Sequence, residues 1–309
     1  MSQTAYVFPG QGSQTVGMGQ ALAQRFAAAR DTFAEVDAIL DFALSRLCFA
    51  GPANTLTETQ NAQPAILATS IAAWRVLQAE CQGPASPCCL AGHSLGEYSA
   101  LVAAGALSFA DAVRLTRWRG ELMAKAGALN PGSMAAILKL ADDEVAAICL
   151  DAAATSGAPV QVANFNSPGQ VVISGAPAAV AAAGEKAKEH GGRVMPLAVS
   201  VAAHSALMAP AVAEFAAHLA AIEFVTPAVP VYGNVQAQPL VSPEEIRGEL
   251  AAQLTSPVLW TQSVQKMVHA GATSFVEVGP GNVLVGLIRR IDSSLHTANV
   301  AEPADLAKL

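Results

Sequence analysis

Charge is scarce in this 309-residue sequence: 13% of its residues are charged, and 24 acidic against 17 basic side chains leave a formal net charge of -7. That balance lacks the basic footprint that nucleic-acid binding requires. Aromatic residues are few as well, at 5%. The five cysteines, at 48, 81, 88, 89 and 149, form no CxxC. They read as reduced, cytosolic thiols and exclude a disulfide framework. The six histidines are scattered without ligand spacing, so no metal is expected. No stretch reaches about 18 uninterrupted apolar residues, the length a membrane-spanning helix needs. MSQTAYVFPG lacks the basic flank and apolar core of a secretory signal. The expectation is a soluble, cytoplasmic protein with no nucleic acid or membrane as partner, and a monomer, because no strong apolar stripe is left exposed.

What the sequence has in abundance is hydrophobic residues, 52% of the chain, much of it helix-favouring alanine. TAYVF (4–8) is a short apolar run ending in a Gly-rich turn, and SPCCLAG (86–92) is another. Helical segments are predicted at about 19–30 and 65–80, and again over LGEYSALVAAGA. TSFVEV (273–278) predicts a strand that turns into a helix over GPGNVLVGLIRRI. This alternation predicts an α/β fold with a mainly parallel, helix-covered sheet. The middle of the chain departs from it. SMAAILKL (133–140), DDEVAAICLDAAA (142–154), PVQVANF (159–165), QVVISG (170–175), APAAVAAAGEKAKEH (176–190) and RVMPLAV (193–199) read β-α-β-β-α-β, a ferredoxin-like unit. The predicted organisation is a discontinuous large α/β domain, 1–127 and 199–309, carrying a ferredoxin-like insert over 128–198.

The chemistry is concentrated in AGHSLGEYSA (91–100). Gly92-His93-Ser94-Leu95-Gly96 fits G-x-S-x-G, a nucleophile elbow, with an apolar run before it and a helical run after it. The helix N-terminus would face a developing oxyanion with N–H groups and a positive dipole end. Serine needs a base. His93 leaves the turn in a different direction from Ser94 and is read as a packing or supporting residue. His190 and His218 fall in helical runs, His269 ends one, and His296 lies in the tail. His204 stands where the chain re-enters the large domain from the insert, the kind of junction ligand sites favour. A satisfied structural histidine is the alternative. No carboxylate near it declares itself as an orienter, but a backbone carbonyl would suffice.

FPGQGSQTVGMG (8–19) fails as a phosphate loop, with Met18 and Gly19 where a Walker loop needs Lys and Ser/Thr. It fails as a dinucleotide loop too, with Thr15 at the third glycine's place. It could instead bring the Gln11 N–H to an oxyanion. In SFADAVRLTRWRGELMAKA (108–126), Ser108 and Asp111 form a helix start. The apolar stripe Ala112, Leu115, Thr116, 119, Leu122, Met123, Ala126 contains an arginine at 119. An inward arginine needs an anion, either a structural carboxylate or that of a substrate.

FPGQGSQ, GHSLGEYSALVAAGALSFADAVRL, RWRGELM, NFNSPGQVVISG, SVAAHSALM, QLTSPVLWTQSV and FVEVGPGNVL, in this order over about 4–291, resemble the malonyl-CoA:acyl carrier protein transacylases. The resemblance implies an α/β-hydrolase-like core with a ferredoxin-like insert. It also implies Ser94 as the acyl-carrying nucleophile, His204 as general base and acid, and Arg119 as the holder of the malonyl carboxylate. The N–H groups of Gln11 and Leu95 would form the oxyanion hole, the Gln253 carbonyl would orient His204, and Asn164 matches an active-site asparagine. Malonyl-CoA and the phosphopantetheine thiol of an acyl carrier protein are the implied substrates, with no metal or redox cofactor, in fatty acid or polyketide synthesis. Lys186, Lys188, Arg193, Arg289 and Arg290 are candidates for carrier docking, ordinary solvated charge being the alternative for each. Before His204 stand Val201-Ala202-Ala203, where related polyketide synthase domains often carry HAF or YAS, so room for a branched acyl group stays open. The rival readings are a hydrolase with the same elbow and a non-catalytic docking subunit.

Overall fold

TAYVF forms β1 (Thr4–Phe8), and every residue after the first is buried, the mark of a strand covered on both faces. The computed structural model describes residues 3–80, 87–199 and 201–308; Cys81 lies outside them. After β1 come α1 (Gln20–Arg25), α2 (Ala27–Leu40), α3 (Leu44–Ala50), α4 (Ala53–Thr57) and α5 (Thr59–Glu80). β2 (Cys89–Gly92), α6 (Gly96–Ala103) and α7 (Phe109–Leu129) follow. The next block is β3 (Ser133–Leu138), α8 (Asp142–Ser156), β4 (Val160–Ser167), β5 (Gln170–Gly175), α9 (Pro177–Glu189) and β6 (Arg193–Pro196). The chain closes with α10 (Ala209–Ala220), β7 (Val231–Tyr232), β8 (Pro239–Leu240), α11 (Pro243–Ala252), α12 (Trp260–His269), β9 (Ser274–Val278), α13 (Val283–Ile291) and β10 (His296–Val300).

The large sheet runs β10-β9-β1-β2-β7-β8, parallel except for the short β7–β8 pair. Phe8 is in register with Gly92, so the turns leaving β1 and β2 emerge side by side at one end of the sheet. Ligands gather at such carboxyl ends in open α/β sheets. The small sheet runs β4-β5-β3-β6 and is antiparallel throughout, the strand order of a ferredoxin-like unit. Its helix-facing side buries Ile137, Ile148, Val162, Ile173 and Val180 in a separate core. The opposite face presents Met134, Ala136, Ala163 and Val172 towards Ala203. A register shift in β4 between Val162 and Asn164 turns the latter to the same side. The division of the chain at 128 and 198 is our proposal, supported by the separate cores of the two sheets.

Four expectations are corrected. His296 is not in a tail: it opens β10, which pairs in parallel with β9 from His296 opposite Ser274 to Val300 opposite Val278. HTANV is polar because an edge strand is only half-buried. β6 stops at Pro196 and not at 199, with one further bond to β3 from the Leu197 N–H to the Met134 carbonyl at 3.0 Å. The helix predicted from 65 begins at Thr59 and runs through Pro64. The carbonyl that Pro64 leaves unpaired, that of Gln60, accepts from Arg117 Nη1 at 3.2 Å, which relieves the break. The helix expected over 19–30 is in fact two, broken at Phe26, whose backbone is extended (φ -118°, ψ 132°). Cys48, Cys88, Cys89 and Cys149 are free thiols. Among the described residues no helix is long and apolar enough to cross a membrane.

Candidate active site

Between β2 and α6 the backbone turns through Ser94 at φ +50°, a left-handed conformation held by the packing on either side. Gly92 and Gly96 make the turn possible. A Cβ on Gly92 would lie 1.9 Å from the Gly96 carbonyl carbon, and one on Gly96 would lie 2.0 Å from the Phe8 oxygen. The turn lifts the Ser94 hydroxyl into a cleft of about 500 Å3 between the carboxyl end of the large sheet and the open face of the small one. Met123, Met134 and Leu197 give it apolar walls.

Ser94 Oγ lies 2.8 Å from His204 Nε2, although the two residues are 110 positions apart. His204 Nδ1 faces the carbonyls of Gln253 at 2.8 Å and Ser256 at 3.2 Å. Two carbonyl acceptors require a proton on Nδ1, so Nε2 presents its lone pair to the serine hydroxyl. The expected carbonyl orienter is therefore in contact, and a second one, Ser256, accompanies it. Burial is the main cause that lowers the His204 pKa, to about 3, with the positive Arg119 adding to it; the bonds to the Gln253 and Ser256 carbonyls act the other way.

Arg119 extends from α7 with 1% of its surface exposed. Its Nη1 donates to Gln63 Oε1 at 2.7 Å, and its Nη2 to Gln253 Oε1 at 2.9 Å and Ser94 Oγ at 3.1 Å. The Tyr98 ring lies 5.8 Å from the guanidinium carbon. Among the described residues no carboxylate forms an ion pair with it, and its Nε has no hydrogen-bond partner. The structural carboxylate, one of two partners the sequence left open, is not found among the described residues: neutral amide oxygens stand in its place. Burial lowers the guanidinium pKa, but guanidinium keeps its proton in proteins. A buried guanidinium beside the Ser94 hydroxyl, without a counter-ion among the described residues, can take up an anionic group brought into the cleft.

Gln11 follows β1 at the cleft wall, and its side-chain Oε1 accepts from Thr59 Oγ1 at 3.0 Å. Leu95 is fully buried at the helix start. Asn164 also lines the cleft, 6% exposed. His93 also lines the cleft, with its Nε2 2.8 Å from Asn166 Oδ1 and its ring beside Trp260. His218 stacks on Trp118 with 4.1 Å between ring centroids, far from any base role.

Several residues of the site escape a reading of the sequence. Asn234, just after β7, accepts the Ser94 N–H at 2.6 Å and donates from Nδ2 to the Gly92 carbonyl at 2.8 Å, clamping the elbow. Its only local signal is a Gly-Asn pair after a short apolar run. Gln63 and Glu97, fully buried, have no local signal beyond being polar on helices.

The chain matches the acyl transferase domain over residues 5–307 and belongs to that family. It is 48% identical to the malonyl CoA-acyl carrier protein transacylase of Escherichia coli, covering 99% of this chain and 98% of that one. A crystal structure of an acyl carrier protein S-malonyltransferase from Vibrio cholerae superimposes with a TM-score of 0.95 at 47% identity, covering 99% of both chains. A type II PKS acyl-carrier protein in complex with its malonyl-transacylase matches with a TM-score of 0.95 at 45% identity, over 99% of this chain and 98% of that chain. The resemblance read from the motifs is thus shown, and with it the α/β-hydrolase-like core and small antiparallel domain.

Proposed function

We propose that the protein moves a malonyl group from malonyl-CoA to the phosphopantetheine thiol of an acyl carrier protein, through an ester on Ser94. The observation that carries this reading is Arg119: a buried guanidinium 3.1 Å from the Ser94 hydroxyl, with no carboxylate paired to it among the described residues. The substrate carboxylate supplies the missing anion, and a neutral acyl chain leaves the cation unpaired.

Ser94 Oγ attacks the thioester carbonyl while His204 Nε2 takes the hydroxyl proton. The N–H groups of Gln11 and Leu95 receive the oxyanion. The carbon–sulfur bond breaks, coenzyme A leaves with the proton from His204, and malonyl remains as an ester. The carrier thiol then gives its proton to His204 and attacks the ester, and Ser94 recovers the proton as it leaves. Each step uses groups of this chain and its two substrates, with no metal or redox cofactor. The names of the relatives support the same reading, in fatty acid or polyketide synthesis. For the carrier, the rim formed by β6 is the favoured approach. Arg193 opens that strand, and Leu197, Ala198 and Val199 beyond it border the cleft. Lys186 and Lys188 are less suited, being engaged by Asp151 and Glu185.

Intact mass after brief exposure to malonyl-CoA tests the reading. An adduct that persists in water and disappears on adding phosphopantetheinylated carrier is the expected result. Coenzyme A released continuously without carrier, with no adduct accumulating, would make the protein a hydrolase.

A pH profile checks the state of His204. Base catalysis needs neutral imidazole, and a pKa near 3 in the substrate-free protein keeps it neutral across the weakly acidic range. The rate of Ser94 acylation at low malonyl-CoA is therefore expected to stay level as pH falls through 6.5, the ordinary histidine value. A decline of tenfold per pH unit below that value would show that the imidazole titrates normally.

A further inference from the structure

Glu97 stands three residues after the nucleophile, on the first turn of α6, and is completely buried. It touches neither Ser94 Oγ nor Arg119. Its Oε2 accepts from Gln253 Nε2 at 2.9 Å and from the Asn234 N–H at 3.1 Å, and its Oε1 has no partner among the described residues. The same Gln253 Nε2 donates to the Ser94 carbonyl at 3.2 Å, and Gln253 Oε1 accepts from Arg119 Nη2 at 2.9 Å. Only one orientation of the amide serves all of these contacts. Turned over, it would set NH2 against guanidinium and oxygen against both the carboxylate and the carbonyl.

We infer that Glu97 is a positioning residue for acyl selectivity: its carboxyl holds the Gln253 amide with the oxygen towards Arg119, which fixes the guanidinium beside Ser94. The arrangement places an amide between a buried acid and a buried arginine. The arginine is anchored without being neutralised by a direct ion pair, so its charge stays available to an incoming carboxylate. Burial and the nearby Glu249 raise the Glu97 pKa well above its ordinary value, while Gln253, Asn234 and Arg119 pull it down. The role needs only an acceptor at Oε2, which both protonation states provide.

The inference rests on the reading of Arg119 as the malonyl receptor, and the test separates the two. The quantity measured is the ratio of kcat/KM for Ser94 acylation by malonyl-CoA to that by acetyl-CoA. Glu97→Gln retains an oxygen at the same reach, and the ratio is expected to stay within about threefold of wild type. Glu97→Asp keeps the charge but withdraws the carboxyl by one methylene, and the ratio is expected to fall by about tenfold, as for loss of one charge-assisted hydrogen bond. Glu97→Met removes the acceptor at similar volume and is expected to lower the ratio at least as far. The Asp and Gln variants carry the test if Met does not fold. A ratio unchanged in Asp overturns the inference, since the carboxyl then acts only in folding. So does a fall in Gln matching that in Asp, since an acceptor at the original reach would then fail to hold the amide. A wild type that does not discriminate the two acyl groups overturns the reading of Arg119 and this inference with it.

Discussion

Replacing Ser94 with alanine is expected to abolish the malonyl adduct and to lower transfer by about 10,000-fold or more, as removal of a nucleophile does in acyl-enzyme mechanisms. The residue sits at φ +50°, a conformation that is as unfavourable for alanine as for serine. The variant should therefore fold, and its unfolding midpoint in urea should stay close to wild type. Arg119 Nη2 and His204 Nε2 both contact the hydroxyl, so both lose a partner, but neither depends on it alone. Arg119 still has Gln63 and Gln253, and His204 is still held by two carbonyls. The loss is thus chemical and not conformational. A mass adduct of undiminished yield in this variant would remove Ser94 from its role and direct attention to another nucleophile in the cleft.

Arg119→Ala should reverse the acyl preference. Loss of a buried, hydrogen-bonded charge partner costs about 2–5 kcal/mol, which is roughly 30- to 5,000-fold in malonyl loading. Acetyl has no carboxylate to lose, so its loading should change by less than about tenfold. The comparison matters because the substitution also leaves the Gln63 and Gln253 side-chain oxygens, which now accept from Arg119, without donors in a buried site. Each orphaned acceptor costs about 1–3 kcal/mol of stability. The common effect on the fold cancels in the malonyl-to-acetyl ratio. Equal losses for both acyl groups would mean that the arginine holds α5, α6 and α11 together and takes no part in choosing the substrate. Arg119→Lys keeps the charge but not the planar fork, so an intermediate ratio is expected from it.

The parts of the site that lie close together in sequence, or that obey a period, are legible in the amino-acid order itself. The elbow is a five-residue pattern whose glycines are demanded by contacts under about 2 Å with Gly96 and Phe8. The anomaly at 119 is visible because a helix repeats every 3.6 residues and an arginine falls on the buried stripe of α7. The insert can be read from its order of strands and helices, and the order of the small sheet follows from it. Where pattern fails, the cause is a long-range contact or a weak alternation. Pro64 stays inside α5 because Arg117, from another helix, takes the carbonyl it leaves free. β10 escapes pattern because its polar, half-buried residues carry no alternation strong enough to register.

The order of residues alone is enough to single out Ser94 as the candidate nucleophile, the inward arginine, the fold class and, by resemblance, the family and the chemistry expected of it. What surrounds those groups is settled by folding. No carboxylate pairs with Arg119 among the described residues, and Ser256 joins Gln253 in orienting His204. Asn234 clamps the elbow, and Gln253 stands between Glu97 and Arg119. The difference lies in the range of the interactions. The hydrogen bonds that join Arg119 to Gln63, Ser94 to Asn234 and Glu97 to Gln253 span 56, 140 and 156 residues. A helical or strand period carries information over a few turns, and a polar side chain acquires a partner only when folding brings distant segments into the same buried volume.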